Sequence, residues 1–267
     1  MCERAAAENC YSPCLRAVRE AINGHPLFGG IEMEDHFLNI FLVWAKNDPN
    51  KASDRLVRYL SCVKDHPEMY DWKLDQLKAF RLGVYELCKK EENGPERIVT
   101  YPGRLNPEKV TAGEYYTEIM ISNLINDDFT AQQHGCHSIF DLSGLTLHQI
   151  YQFGLKSFIY FARFCTGANP VRVQKVHVLN EHPFIRTVYI RAIKPFLSRK
   201  IAKRVEFHGS DYEGLYQCCP KKYLPPDLGG DAQVGRFTEQ LLLRQYEGHP
   251  SKLKKVWKHV QELNHSK

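Results

Sequence analysis

Seven basic side chains lie between residues 186 and 204 with no acid among them: Arg186, Arg191, Lys194, Arg199, Lys200, Lys203 and Arg204. Charge of one sign at that density suits phosphate or an anionic lipid surface, where each basic residue contributes about 1 kcal/mol. Groups for covalent chemistry are scarce by comparison. The chain has no GxGxxG, no Walker-A loop, no GxSxG and no HExxH. "LGGD" at 228–231 lacks the rest of a phosphate loop and follows a proline-rich turn, so it reads as a stop. The twelve histidines show no i, i+4 pair with a carboxylate on a clear helix face, and the nine cysteines include no CxxC pair. His134 and His137 flank Cys136, but neighbours along a strand alternate faces and make no ligand set. No metal, no cofactor, no enzymatic activity and no nucleic-acid partner are expected.

The elements that must carry the basic run are legible from periodicity. Phe184, Ile185, Val188, Tyr189, Ala192, Ile193, Phe196 and Leu197 recur at helical spacing, and Pro195 should kink or end that helix. By periodicity this is either a core helix or a lid over an apolar cavity; the adjoining positive charge is what favours a lid. The whole stretch 173–230 reads as strand, amphipathic helix, basic turn, strand, short helix and Gly-Gly stop. Upstream, 146–165 carries Leu147, Ile150, Tyr151, Leu155, Phe158, Ile159, Phe161, Phe164 and Cys165 on more than one face, which predicts burial on several sides. "RIVTY", "CHSIFDL", "QKVHVL" and "KRVEFHG" read as strands, with helical stretches 112–126 and 146–165 between them. That alternation predicts an α/β fold with a largely parallel sheet.

The first part of the chain has a different character. Residues 1–10 read as loosely ordered and Cys14 to about Cys88 as helical, with Ser53 as one helix start. The polar stretch "KKEENGPER" separates the two parts, so the expected division is a helical domain at 11–92, an α/β domain at 93–231 and a helical extension at 232–267. In that extension Leu253, Val256, Trp257, Val260 and Leu263 form an apolar stripe among Lys252, Lys254, Lys255 and Lys258. The stripe fits packing on the body or a membrane-surface helix. With 267 residues, 43% hydrophobic, there is room for a large core or an internal cavity, and the net charge of +5 mildly favours acidic surfaces. The N-terminus lacks an apolar signal region and no run approaches the ~18 apolar residues of a membrane span. A reduced cytoplasmic protein, peripheral to membranes, is expected.

Five ordered segments then carry a resemblance: "SIFDLSGL" at 138–145, "VHVLNEHP" at 176–183, "IKPFLSRKI" at 193–201, "EFHGSDYEGL" at 206–215 and "LPPDLGG" at 224–230. Together they resemble the CRAL-TRIO lipid-transfer family, over about Leu15 to Gly230. In "HFLNIFLVWAKND", Val43 stands where the family has an arginine, and Lys46 keeps a positive charge nearby. The resemblance implies a helical N-terminal domain, a roughly five-stranded sheet flooring a lipid cavity, and 184–197 as the gate. It implies a lining of Tyr115, Glu118, Ile119 and Ser122 from one helix and Cys136, Ser138 and Phe140 from a strand. Leu147, Tyr151, Phe158, Phe161, Phe164 and Cys165 would line another side, and Ile185, Val188, Tyr189 and Ala192 would face in from the gate. Glu118 with Ser122 is expected to bind a ligand hydroxyl or headgroup. Arg172, Lys200 and Arg204 are the implied phosphoinositide contacts, with Gln174 at a further position that is basic in the family and Lys175 beside it. The implied partners are a hydrophobic small molecule (tocopherol, retinoid, carotenoid or other lipid) and an acidic, phosphoinositide-bearing membrane. The alternative is a membrane-traffic adaptor or lipid sensor without bulk transfer.

Overall fold

The computed structural model describes residues 2–73, 76–88, 94–124, 130–232 and 250–264. Helices α1 (Cys2–Asn23), α2 (Asp35–Trp44) and α3 (Pro49–Asp65) form the N-terminal part. Helix α1 begins at Cys2, inside the stretch expected to be loose. Helix α3 starts four residues before Ser53: Asp48 accepts from the Lys51 amide at 3.1 Å as N-cap, and Pro49 follows at a position where no amide is needed. Ser53 instead donates its hydroxyl to the Pro49 carbonyl at 2.8 Å. Leu56, Tyr59, Leu60 and Val63 make one fully buried stripe of α3, as their spacing predicts.

A short helix α4 (Lys78–Arg81) leads into strand β1 (Tyr85–Leu87), where helix was expected up to Cys88. Glycine at 83 and the β-favouring Val84–Tyr85 pair end the helical run there. β1 pairs antiparallel with β2 (Glu96–Thr100), so the sheet starts ahead of the polar stretch at 89–97. Then follow α5 (Ala112–Leu124), α6 (Thr130–Gln133), β3 (Cys136–Asp141), α7 (Leu147–Phe153), α8 (Leu155–Gly167), β4 (Val173–Leu179), α9 (Pro183–Val188), α10 (Arg199–Ala202), β5 (Val205–Gly209) and α11 (Glu213–Tyr216). The strand order is β1-β2-β3-β4-β5, parallel from β2 onward. The stretch expected as one helix over 146–165 is two. Thr146 and Gln149 close a reciprocal capping box on α7, and Gly154 turns the chain at φ +72° before α8. Helix α12 (Pro250–Glu262) closes the described chain.

Two cores result. One joins α1–α3, α5, α8 and α12. Leu253, Val256, Trp257 and Val260 of α12 are buried in it, and the Trp257 indole donates to the Tyr59 hydroxyl at 2.8 Å. The stripe therefore packs on the body, and the membrane-surface alternative loses its apolar face. The other core covers the back of the sheet, where Leu215, Cys219, Leu224 and Leu228 lie on Val99, Ile139 and Leu179. Among the described residues no helix is long and apolar enough to cross a membrane.

Candidate functional site

The two faces of the sheet are filled differently. Side chains alternate along each strand, so Val99, Ile139 and Leu179 point to the back and are fully buried there. On the front, Ser138, Phe140, Val176, Val205 and Phe207 are only half-buried. The segment 183–196 reaches this front through Tyr189 on Phe207 and also meets α8, where Phe158 and Phe161 are half-buried.

That segment runs as α9, a π-helical turn over Tyr189–Ile193 and a 3-10 turn over Lys194–Phe196. Pro195 cannot donate to the preceding turn, and the helix ends as its position predicts. Ile185, Val188, Tyr189, Ala192 and Ile193 are half-buried, while Phe184, Ile190 and Phe196 point out at roughly half exposure. None of the segment is fully buried, so a core helix is excluded. The Tyr189 ring rests on Phe207 of β5 at 5.1 Å, and its hydroxyl is enclosed without a hydrogen-bond partner. The Arg186 guanidinium stacks over the same Phe207 at 5.2 Å. The chain turns into the segment at Asn180, which sits in the left-handed region (φ +52°) and donates to Asp141 at 2.8 Å and to the Tyr212 hydroxyl at 2.6 Å.

Other expected lining residues lie elsewhere. Glu118 is 0% exposed, but its oxygens accept from the Ala79 amide at 3.0 Å and the Phe80 amide at 2.9 Å. It holds the first turn of α4, and burial pushes its pKa up to about 7 against those two bonds. Ser122 donates to its own helix at the Ile119 carbonyl, 2.8 Å away, so the two do not form a headgroup site. Tyr115 and Ile119 belong to the first core, where Tyr115 stacks on Tyr85 at 5.7 Å and meets Phe153 at 5.7 Å. Leu147 and Tyr151 are 68% and 85% exposed on α7, because the break at Gly154 lets α7 leave the line of α8. Phe164 packs on Tyr59 and Tyr70 of the first core. Cys165 is half-buried near Arg55, and its thiol is pushed up to about 12 by burial. Cys136 is buried with Val171. Ser138 and Phe140 are half-buried on the front, where Tyr189 of the 185–192 stripe meets Phe207, while Phe161 packs on Tyr116 at 5.1 Å and Phe158 lies against the first core.

The basic cluster also divides. Arg172 donates through Nε to the Trp44 carbonyl at 3.1 Å, and through its terminal nitrogens to Trp44 at 2.5 Å, Val43 at 3.2 Å and Gln133 at 3.4 Å. It thus caps the C-terminus of α2 rather than standing free for phosphate. Arg55 of α3 reciprocates, donating to Thr166, Gly167 and Asn169 at the end of α8. Arg172 ties α2 to the start of β4 and Arg55 ties α3 to the end of α8, each through carbonyls at a helix end, where positive charge is favourable. Arg204 donates one nitrogen to the Val173 carbonyl, and Lys200 is exposed. Gln174 turns to the His134 carbonyl, and Lys175 lies on the back face, 2.6 Å from Glu206 and 3.1 Å from the Cys218 sulfur. Lys175 is therefore remote in orientation from the outward basic run.

Sequence reading missed one cluster. His137, His177 and His208 stand on the back faces of β3, β4 and β5 as a stack, with ring centroids 5.4 and 5.2 Å apart. His137 Nδ1 lies 3.2 Å from His177 Nε2, His177 Nδ1 lies 3.0 Å from His208 Nε2, and the Cys219 sulfur is 3.5 Å from His137 Nδ1. The available signal was one histidine at an outward-alternating position in each of three consecutive parallel strands.

Comparison with known proteins agrees with this architecture. The CRAL/TRIO domain family model matches residues 80–230. The Homo sapiens "Alpha-tocopherol transfer protein-like" is 30% identical over 227 residues, covering 82% of this chain and 65% of that protein. Homo sapiens "Clavesin-2" is 23% identical over 249 residues, 87% of this chain and 74% of that one. The chain thus spans about 65% of the length of its tocopherol-type relatives. The crystal structure of Sfh5 shares the fold at a TM-score of 0.53 and 13% identity, covering 97% of each chain. A five-stranded, mostly parallel sheet and a family match over more than half of the sequence lead to one assignment: this chain belongs to the CRAL/TRIO domain family.

Proposed function

We propose that this protein binds a hydrophobic ligand between the front of the sheet, α8 and the segment 183–196, and exchanges it at acidic, phosphoinositide-bearing membranes. The observation that supports this most directly is the Tyr189–Phe207 contact. It holds an apolar stripe over a half-buried sheet face, while Val99, Ile139 and Leu179 on the opposite face are sealed in a core. A face left half-buried beneath an apolar cover is suited to a guest molecule. A ligand with ~20 buried methylene-sized groups would cost on the order of 16 kcal/mol to expose to water. The carrier avoids that exposure by opening only where lipid replaces water.

The outer face of the segment fits such an event. Phe184, Ile190 and Phe196 are its exposed apolar residues, and Arg191, Lys194, Arg199 and Lys200 are exposed around them. Apolar side chains enter the interface while basic ones meet anionic headgroups. A membrane opens the segment only through better contacts with the open form than with the closed one, and the outward phenylalanines and basic residues supply such contacts. The enclosed Tyr189 hydroxyl is the polar group placed to meet a ligand oxygen. No bond is made or broken in this scheme. Native mass spectrometry with lipid extraction tests it, followed by transfer between vesicles. A stoichiometric apolar guest that moves between vesicles supports the carrier; a protein that takes up none of a lipid panel rejects it in favour of an adaptor.

A further inference from the structure

The histidine stack on the back of the sheet lies on the opposite face from the gate and serves no part of the scheme above. Its geometry is that of a metal centre. His137, His177 and Cys219 are all buried, and one donor atom from each falls within 4.8 Å of the other two. A tetrahedral ion holding nitrogen at ~2.0–2.1 Å and sulfur at ~2.3 Å needs donors roughly 3.3–3.6 Å apart. The separations here are 3.2 Å between His137 Nδ1 and His177 Nε2, and 3.5 Å between His137 Nδ1 and the Cys219 sulfur.

The surroundings favour ligands in the forms a metal takes. Both imidazoles are buried within the back face of the sheet. A neutral ring ligating through one nitrogen donates its other N–H to a fixed partner. His177 has that partner in His208 Nε2 at 3.0 Å. The Arg97 guanidinium lies near the Cys219 sulfur, where its positive charge offsets the negative charge of a thiolate. The charged groups facing the site are Arg97 from β2, Lys175 from β4 and Glu206 from β5. A second grouping, His177, Glu206 and Cys218, is a poorer cation site. Lys175 already occupies it, at 2.6 Å from Glu206 and 3.1 Å from the Cys218 sulfur.

We propose that His137 Nδ1, His177 Nε2 and the Cys219 thiolate bind one borderline-soft divalent ion of the zinc class, with the fourth position left to water. The thiol proton is released to solvent as the metal–sulfur bond forms, and no electron is transferred. Such an ion would staple the segment after α11 to β3 and β4, across the core that seals the back of the sheet.

The test uses the purified full chain, kept reduced and stripped with chelator, and Co2+ as the probe. One Co2+ per chain is expected, with a thiolate-to-cobalt charge-transfer band and the strong visible bands of a tetrahedral ion. Zn2+ should bleach both and raise the melting temperature. Cys219→Ala should abolish the charge-transfer band, and Cys218→Ala, the matched control one residue away, should keep it. His208→Ala should retain the band and weaken Co2+ binding about tenfold. Absence of a thiolate band in the wild-type protein overturns the proposal without reliance on any variant's folding. So does a band that survives Cys219→Ala.

Discussion

Glu118→Gln separates the two roles open to a buried carboxylate, ligand contact and helix support, through the pH dependence of stability. In the structure both oxygens of Glu118 accept backbone amides, from Ala79 and Phe80. Gln offers one acceptor and one donor, so one buried amide faces a donor and goes unsatisfied, at about 1–3 kcal/mol. Against that, wild-type Glu118 is harder to ionise when folded, with a pKa of about 7 against the model-compound 4.5. An acid whose folded pKa is raised stabilises the fold below its unfolded pKa and loses that contribution as pH rises through the folded value. Between pH 5 and about 8.5 the wild-type protein should therefore lose about 2–3 kcal/mol from this group, and the glutamine variant should not. Other titrating groups are common to both proteins and cancel in the difference. Urea unfolding of both, at pH 5 and 8.5, measures it. The variant should be less stable by about 1–3 kcal/mol at pH 5, and the gap should close or reverse at pH 8.5. A gap that is the same at both pH values refutes the reasoning. Ligand selectivity should not change, because the carboxylate points at α4.

Arg172→Ala should destabilise the fold by about 2–4 kcal/mol in urea, since it strips a charged cap from α2, whereas Lys200→Ala should leave stability within ~0.5 kcal/mol. On vesicles containing phosphoinositide, Lys200→Glu should weaken binding about fivefold or more; binding that falls only with Arg172→Ala would reverse the assignment. Phe207→Ala removes the surface on which Tyr189 rests and should speed ligand release to acceptor vesicles roughly 2–10-fold, from an aromatic contact of about 0.5–1.5 kcal/mol. Trp257→Ala should cost about 3–5 kcal/mol of unfolding free energy, because the ring is fully buried on α3. A membrane-surface role for α12 would instead leave stability intact and reduce vesicle binding.

The fold was largely open to reading from short-range pattern. Four of the five strands lie where β-branched and aromatic runs alternate. The strand missed, Tyr85–Leu87, has three residues and is fixed by its antiparallel partner rather than by its own composition. The segment 183–196 was legible because Ile185, Val188, Tyr189 and Ala192 repeat at helical spacing and Pro195 must end the run. Its inward stripe lies where that spacing puts it. The polar residues were less legible. A family position put Glu118 at a ligand and Arg172 at a phosphate, but each is spent on the end of another helix.

Sequence alone determined the α/β class, four of the strands and the basic apolar segment, because periods of 2 and 3.6 are local properties of the chain. It also determined that α12 has an apolar stripe, though not what the stripe covers. Tertiary structure decided which long-range partner each polar side chain meets: Ala79 and Phe80 for Glu118, Trp44 for Arg172, Lys175 for Glu206. It alone set His137, His177 and Cys219 side by side, from residues forty and more apart, since strand register and the return of the chain after α11 create that contact. A hydrogen bond or a metal ligand is a statement about a few ångströms, and no one-dimensional period fixes such a distance between separate elements.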